Sequence, residues 1–305
     1  MPHLSPGALT LLCLGSSLSL ASCKTAGAQM DASPKPATSP QKQRTSTMHK
    51  KIDLRIQVRP PTRHPRVINV ATINMFAAGF GMNKLRKALK KQNLDVVGLQ
   101  EVDNKTRRSK NVDQLKELAA ATGLHAAFAP AMNFDGGRYG VALLSKWPLH
   151  NIHRVALPVV SGAEPRVLLW AQAKIDGEQW TFAVTHFSSS RDAENAVSAH
   201  RDQARVLAEA LAGRERVIVL ADLNSEATSR DLTPLSIIGN FVGLHLGPTY
   251  PARDPQLRLD HIILSRDLVA QQPEVIDLGC SDHRALRSQV ILRKNLARWR
   301  VRPNR

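Results

Sequence analysis

The sequence is poor in the residues that announce several common chemistries. It holds 3 cysteines in 305 residues. Cys13 lies in the leader, so Cys23 and Cys280 alone are left after its removal, too few for a disulfide framework or a redox function. There is no Cys/His zinc spacing and no HExxH helix. A GxxxxGK[ST] loop and a GxSxG elbow are also missing, which argues against a nucleotide triphosphatase and a serine hydrolase. No apolar run is long enough to span a bilayer. The longest, Ala8–Leu20, has 13 residues and suits the h-region of a signal peptide. No internal repeat is visible.

Positive charge is abundant, and its distribution matters more than its total of +17. From Lys24 to Arg66 ten basic residues face two acidic ones, and from Arg293 to Arg305 six basic residues face none. The remainder carries only +3. The basic ends would attract any polyanion, nucleic acid or anionic lipid, or act simply as solvated tails. The leader closes on Leu20-Ala21-Ser22-Cys23, which resembles the lipobox of bacterial lipoproteins, in which the cysteine thiol accepts the lipid. That resemblance implies an exported protein of the bacterial cell envelope, tethered to the membrane through Cys23. Its n-region carries no Lys or Arg, and a start at Met30 or Met48 would instead make the protein secreted or cytoplasmic. Four segments are expected: a signal peptide with lipobox at 1–23, a disordered Pro/Ser/Thr/Lys-rich linker at 24–66, a folded domain at 67–292 and a basic tail at 293–305. A short alternation, Ile52-Leu54-Ile56-Val58, could add an edge strand before Pro60 ends it.

Within 67–292, strand-like and helix-like patterns alternate. Strands are expected at Val67–Asn74, Asp95–Gln100, Leu124–Ala129, Tyr139–Ser145, Ile152–Ala156, Arg166–Ile175, Trp180–Phe187, Arg216–Leu220, His261–Leu264 and Ala285–Leu292. Asp176-Gly177 supplies a hairpin signal. Helices fit Asn83–Lys91, Asn111–Thr122 and Asn195–Leu211.

Five of these strands carry at an end a residue that apolar packing does not require: Asn74, Glu101, His186, Asp222 and Asp260. A sixth group, Asp282-His283, precedes the last strand. One polar strand end is usually a cap or a solvated turn; six suggest a shared site. Glu101, Asp282 and the carboxamides of Asn74 and Asn224 are hard oxygen donors suited to Mg²⁺ or Mn²⁺. His186 and His283 beside carboxylates offer proton donors and phosphate contacts at neutral pH.

In order along the chain come Ile73-Asn74, Leu99-Gln100-Glu101, Tyr139–Ser145, Glu164-Pro165-Arg166, Thr185-His186-Phe187, Ala221-Asp222-Leu223-Asn224, Leu259-Asp260-His261-Ile262 and Ser281-Asp282-His283. Together they resemble the endonuclease/exonuclease/phosphatase superfamily. The resemblance implies a four-layer α-β-β-α sandwich of two mixed sheets, deoxyribonuclease-like, and a hydrolase that breaks phosphoester bonds with a divalent metal. Carried over by residue, it implies that Glu101 binds the metal with Asn74 and Asp282 nearby. Asp222 would orient or deprotonate the attacking water, and Asn224 would hold the scissile phosphate. His283, steered by Asp282, would meet the developing charge. His186 would donate to the phosphate or leaving oxygen, and Asp260 would fix His186 or a metal-side water. Tyr139 and Arg166 are candidate phosphate contacts, each equally explained by packing or by the neighbouring Glu164.

The substrate is left open among nucleic acid, phospholipid and inositol phosphate, with a monomer expected. A non-specific nuclease on DNA, a sphingomyelinase-like lipid phosphodiesterase and a non-catalytic binding protein are the alternatives. The stretch Met75–Gly81 departs from the family's short Gly-rich continuation, and its two Phe residues could form a hydrophobic lip.

Overall fold

In a computed structural model of the protein, residues 66–189 and 195–297 are described. The leader, Cys23, the 24–65 segment and the end of the basic tail lie outside the described residues. The elements run β1 (Ile68–Asn74), α1 (Met82–Gln92), β2 (Val96–Asn104), α2 (Gln114–Thr122), β3 (His125–Phe134), β4 (Gly137–Ser145), β5 (His150–Leu157), β6 (Arg166–Ile175), β7 (Glu178–His186), α3 (His200–Leu211), β8 (Val217–Asp222), β9 (Gly239–Phe241), β10 (Asp260–Ser265), β11 (Leu268–Ile276) and β12 (Ala285–Leu292).

Local chemistry accounts for most of these. In α1, Leu85 and Leu89 share the buried face, Lys90 and Lys91 sit in the last turn where the helix dipole favours cations, and left-handed Asn93 ends the helix. Asp113 caps α2 by accepting from Lys116 N–H, and left-handed Gly123 closes it. Asp176 and Gly177 both have positive φ, as the two-residue turn joining β6 to β7 requires.

Two six-stranded sheets result, ordered β11-β12-β1-β2-β4-β3 and β5-β6-β7-β8-β10-β9. In each, one parallel pair, β1 with β2 or β7 with β8, lies among antiparallel neighbours. The two sheets therefore share one topology around a strand–helix–strand crossover, although the sequence shows no repeat. Between them lies a core that includes Val70, Leu143, Leu169, Phe182, Leu220 and Ile262. A second core packs α3 on the outer face of one sheet, and a third packs α1 and α2 on the outer face of the other. This is the four-layer sandwich expected from the sequence. Gly98 on β2 lies so near the facing sheet that a Cβ there would collide with Leu220. Among the described residues no helix is long and apolar enough to cross a membrane.

Two strands escape the sequence reading. β11 is an edge strand whose exposed face is polar and which contains Pro273 and a register shift between Gln271 and Glu274, so it carries no clean alternation. β9 has three residues, too few for a periodic signal. The helix expected from Asn195 begins as a 3-10 turn at Ala196–Ala199, and β3 continues past Ala129 to Phe134.

Candidate active site

The register of the sheets gathers the site. In one sheet His186, Asp222 and Asp260 stand directly opposite one another on β7, β8 and β10. In the other, Asn74 at the end of β1 pairs with Gln100 on β2. Glu101 follows at a bulge: Leu99 opposes Ala142 while Val102 opposes Gly140, and Glu101 takes φ +57. The extra residue keeps Leu99 and Val102 in the outer core and frees Glu101 for the cleft. Left-handed backbone at a non-glycine residue costs about 1–3 kcal/mol, so the surrounding structure must hold it there.

Glu101, His186 and Asp222 line a cavity of about 270 Å³ with Tyr139, Arg166, Asn224, Asp282 and His283. Asn74 and Asp260 are buried behind it. Asn74 joins the two sheets, donating from Nδ2 to Glu101 Oε1 at 3.0 Å and to Asp222 Oδ2 at 2.9 Å. Its Oδ1 accepts from the Phe76 N–H at 3.0 Å, which fixes the carboxamide orientation. Asn74, expected near the metal, thus turns its amide nitrogen and not its oxygen toward the carboxylates. Burial pushes the Glu101 carboxyl above its usual range and Asp282 adds to the shift, against the Asn74 hydrogen bond. Asp282 Oδ1 is buried without a hydrogen-bond partner. Two close carboxylates, one with an orphaned oxygen, fit a hard divalent cation.

His283 donates or shares its Nδ1 proton with Asp260 Oδ2 at 2.9 Å, while Asp222 Oδ2 lies 3.8 Å away. The expectation that Asp282 steers His283 is corrected, as is the pairing of Asp260 with His186: the strand register puts Asp260 behind His283. Ser281 sets this loop, donating to the Asn74 carbonyl at 2.6 Å and accepting from His283 N–H at 3.0 Å. Burial disfavours the charged ring, but Asp260 and Asp222 outweigh it and push its pKa up to about 10. Asp222, Asp260 and His283 are close enough together to suggest a metal site. Glu101 and Asp282, which line the cavity and leave Asp282 Oδ1 unpartnered, are a second candidate cation site. Burial raises Asp222 well above the ordinary carboxylate range, opposed by His283 and reinforced by Asp260. Its Oδ1 accepts from Asn224 N–H at 2.9 Å.

His186 meets Arg166 Nη1 at 3.2 Å on Nδ1 and Asn224 Nδ2 at 2.9 Å on Nε2. Burial, then Arg166 and His283, hold it well below its usual pKa, as a neutral ring. Asn224 Nδ2 also donates to the Phe187 carbonyl at 2.9 Å, which settles its amide orientation; a neutral ring accepts at one nitrogen only, from Arg166 or from Asn224. Arg166 also lies 3.4 Å from Glu164. Tyr139 is buried under Phe134, and burial, then Glu101, raises its pKa well, so the phenol stays neutral.

Sequence reasoning missed Arg108, whose guanidinium binds Asp103 at 2.7 and 2.8 Å and covers the rings of Phe134 and Tyr139 at 4.5 and 5.4 Å on the cavity wall. It missed Tyr250, whose ring lies 4.7 Å from that of His283. Both sit in loops without periodicity; the run Lys105–Lys110, with four basic residues, was the one available signal for Arg108.

Among solved structures, the chain is similar to an endonuclease/exonuclease/phosphatase from Beutenbergia cavernae, at 20% identity over 74% of this chain and 72% of that one, TM-score 0.63. It is also similar to a Bacteroides thetaiotaomicron mannosyl-6-phosphatase, at 16% identity over 74% and 100%, TM-score 0.59. A third is D. rerio TDP2 complexed with single-strand DNA product, at 16% identity over 73% and 98%, TM-score 0.57. Comparison with curated proteins gives no match. The family model described as Endonuclease/Exonuclease/phosphatase family matches residues 71–283, more than half of the chain. The chain therefore belongs to the endonuclease/exonuclease/phosphatase family, whose members are enzymes acting on phosphoric esters.

Proposed function

We propose that the protein is a divalent-metal-dependent phosphoesterase in which water attacks phosphorus and the P–O bond to the leaving group breaks. The observation that carries this reading is the bridge from Asn74 to Glu101 and Asp222, which sets a candidate cation-holding carboxylate beside a candidate base across the junction of the sheets. Glu101 and Asp282 would hold Mg²⁺ or Mn²⁺, which when bound polarises a phosphate oxygen. Asp222 takes the proton of the attacking water, a task its raised pKa suits. With Nδ1 committed to Asp260, His283 keeps Nε2–H for a phosphate oxygen and meets the negative charge that develops there. His186, held neutral by burial between Arg166 and Asn224, positions both side chains at the cavity wall. Arg166 and Tyr139 supply further donors on the cavity wall.

Replacing Glu101 or Asp222 by Ala should abolish metal-dependent phosphodiester hydrolysis while circular dichroism stays native. Full activity in either variant would overturn the assignment. We further propose that the enzyme works in the cell envelope, tethered through a lipid on Cys23, on the strength of the Leu20–Cys23 signal. A mature N-terminus that begins upstream of an unmodified Cys23, read by mass spectrometry, would refute this.

A further inference from the structure

Beside the catalytic cleft lies a second cavity, of about 540 Å³, that the hydrolytic step does not use, although Glu101 and Arg108 line both. One wall is apolar and is built by the loop between β1 and α1, with Phe76, Ala78 and Met82; the other carries Arg108 and Lys110. Phe76 and Phe80 meet at 5.9 Å between ring centroids and remain 40% and 46% exposed. Burying one against the other only in part is a poor use of two phenylalanines unless something else covers them.

The lip is also held in place. Phe76, Ala77 and Ala78 have φ of 48, 46 and 56°, three successive left-handed residues without a glycine among them. Met75 N–H donates to the Gln100 carbonyl at 3.1 Å, and Gln114 Nε2 donates to the Ala77 carbonyl at 2.6 Å. Gly79 lies against the Phe76 ring so closely that a Cβ there would collide with it. Strained backbone that presents apolar side chains at the mouth of a polar cleft is a ligand-facing device more readily than a packing one.

We propose that this cavity receives an aliphatic chain of the substrate, so that the preferred substrate is an amphipathic phosphate ester whose charged group lies toward Glu101 and Arg108 and whose chain lies along Phe76, Ala78 and Met82, with Phe80 packed beside Phe76. This rests on the phosphoesterase reading of the adjoining cleft. Arg108 and Lys110 complement the anion, and the two cavities adjoin at Glu101 and Arg108, which line both. A chain fits better than a nucleobase, because the two rings are tilted 41° to each other and the Phe76 ring rests on Gly79, leaving no flat open platform for stacking.

The test is calorimetric titration of the full chain, with Mg²⁺ present, by methylphosphonate, n-octylphosphonate and thymidine 5′-monophosphate, none of which requires turnover. Each fully buried methylene is worth roughly fourfold in affinity. Octylphosphonate should therefore bind at least ~10-fold tighter than methylphosphonate, and the doubly substituted Phe76→Ala/Phe80→Ala protein should bring that ratio down to under about threefold. Equal affinity for the two phosphonates, absence of octylphosphonate binding, or a ratio that survives the substitutions would overturn the proposal. So would thymidine monophosphate binding more tightly than octylphosphonate through the same two rings, which would make the cavity a base-stacking site. A protein that keeps the chain-length preference but hydrolyses no phosphoester would sink the catalytic reading and leave the subsite standing.

Discussion

The Nδ1 of His283 lies 2.9 Å from Asp260 Oδ2, across the gap between the loop before β12 and the start of β10. Asp260 thereby keeps the ring cationic where a phosphate would bind. Asp260→Asn removes that charge while keeping a similar shape, so kcat should fall by ~10²-fold. Because the active ring is the protonated one, activity is lost as pH rises through its pKa. The basic limb of the pH–rate profile should therefore move to lower pH in the variant. A profile that keeps its shape would assign Asp260 a merely structural role.

Glu101 and Asp282 repel each other in a cleft that leaves Asp282 Oδ1 unpartnered. A cation that binds there should stabilise the fold, by about 2.7 kcal/mol at a hundredfold excess over Kd. Thermal melts with Mg²⁺ and with EDTA should differ by several degrees, and Glu101→Ala should erase the difference. An undiminished metal effect in that variant would move the cation elsewhere, to Asp222, Asp260 and His283 in the first instance.

His261 follows Asp260 but faces away from the site, with Nε2 on the Ser225 carbonyl at 2.9 Å and the Phe241 ring edge-on. Burial holds its pKa down to about 4, against about 6.5 in an unfolded chain. Between those values the unfolded chain binds a proton that the folded one does not, so this residue's share of stability is lost as pH falls from about 6.5 to about 4. The loss is of order 3 kcal/mol. In His261→Gln, denaturant midpoints should depend less on pH across that window; an unchanged slope would contradict the account.

Gly98 lets β2 approach β8 of the facing sheet. Gly98→Ala must push Leu220 aside between two sheets that both carry site residues. We expect a loss of about 1–3 kcal/mol in chemical denaturation, accompanied by lower activity. A neutral substitution would show that the sheets can separate without cost.

Which residues gather at the candidate site was largely legible in the sequence, whereas how they pair was not. Asn74, Glu101, His186, Asp222 and Asp260 stand out because a buried strand has no packing use for a polar end. The neighbour of His283 in sequence is Asp282, but its partner in space is Asp260, 23 positions away. That pairing follows from the alignment of Asp260 with Asp222 across antiparallel β10 and β8, a long-range register that no local pattern encodes. The bulge at Glu101 is hidden for the same reason, since it appears only against β4. Arg108 and Tyr250 come from loops, where position depends on what the rest of the fold leaves open. The layered fold was legible because most strands are apolar runs between clear breaks, and edge strand β11 was lost because Gln271, Gln272, Pro273 and Glu274 interrupt its apolar pattern.

The most direct test is hydrolysis of bis(p-nitrophenyl) phosphate by the purified protein with Mg²⁺, Mn²⁺ or EDTA, beside the Asp222→Ala variant. Turnover that needs the metal and disappears with Asp222 is the predicted result. Turnover that persists in EDTA, or that the variant retains in full, would contradict metal-assisted attack of water at this site.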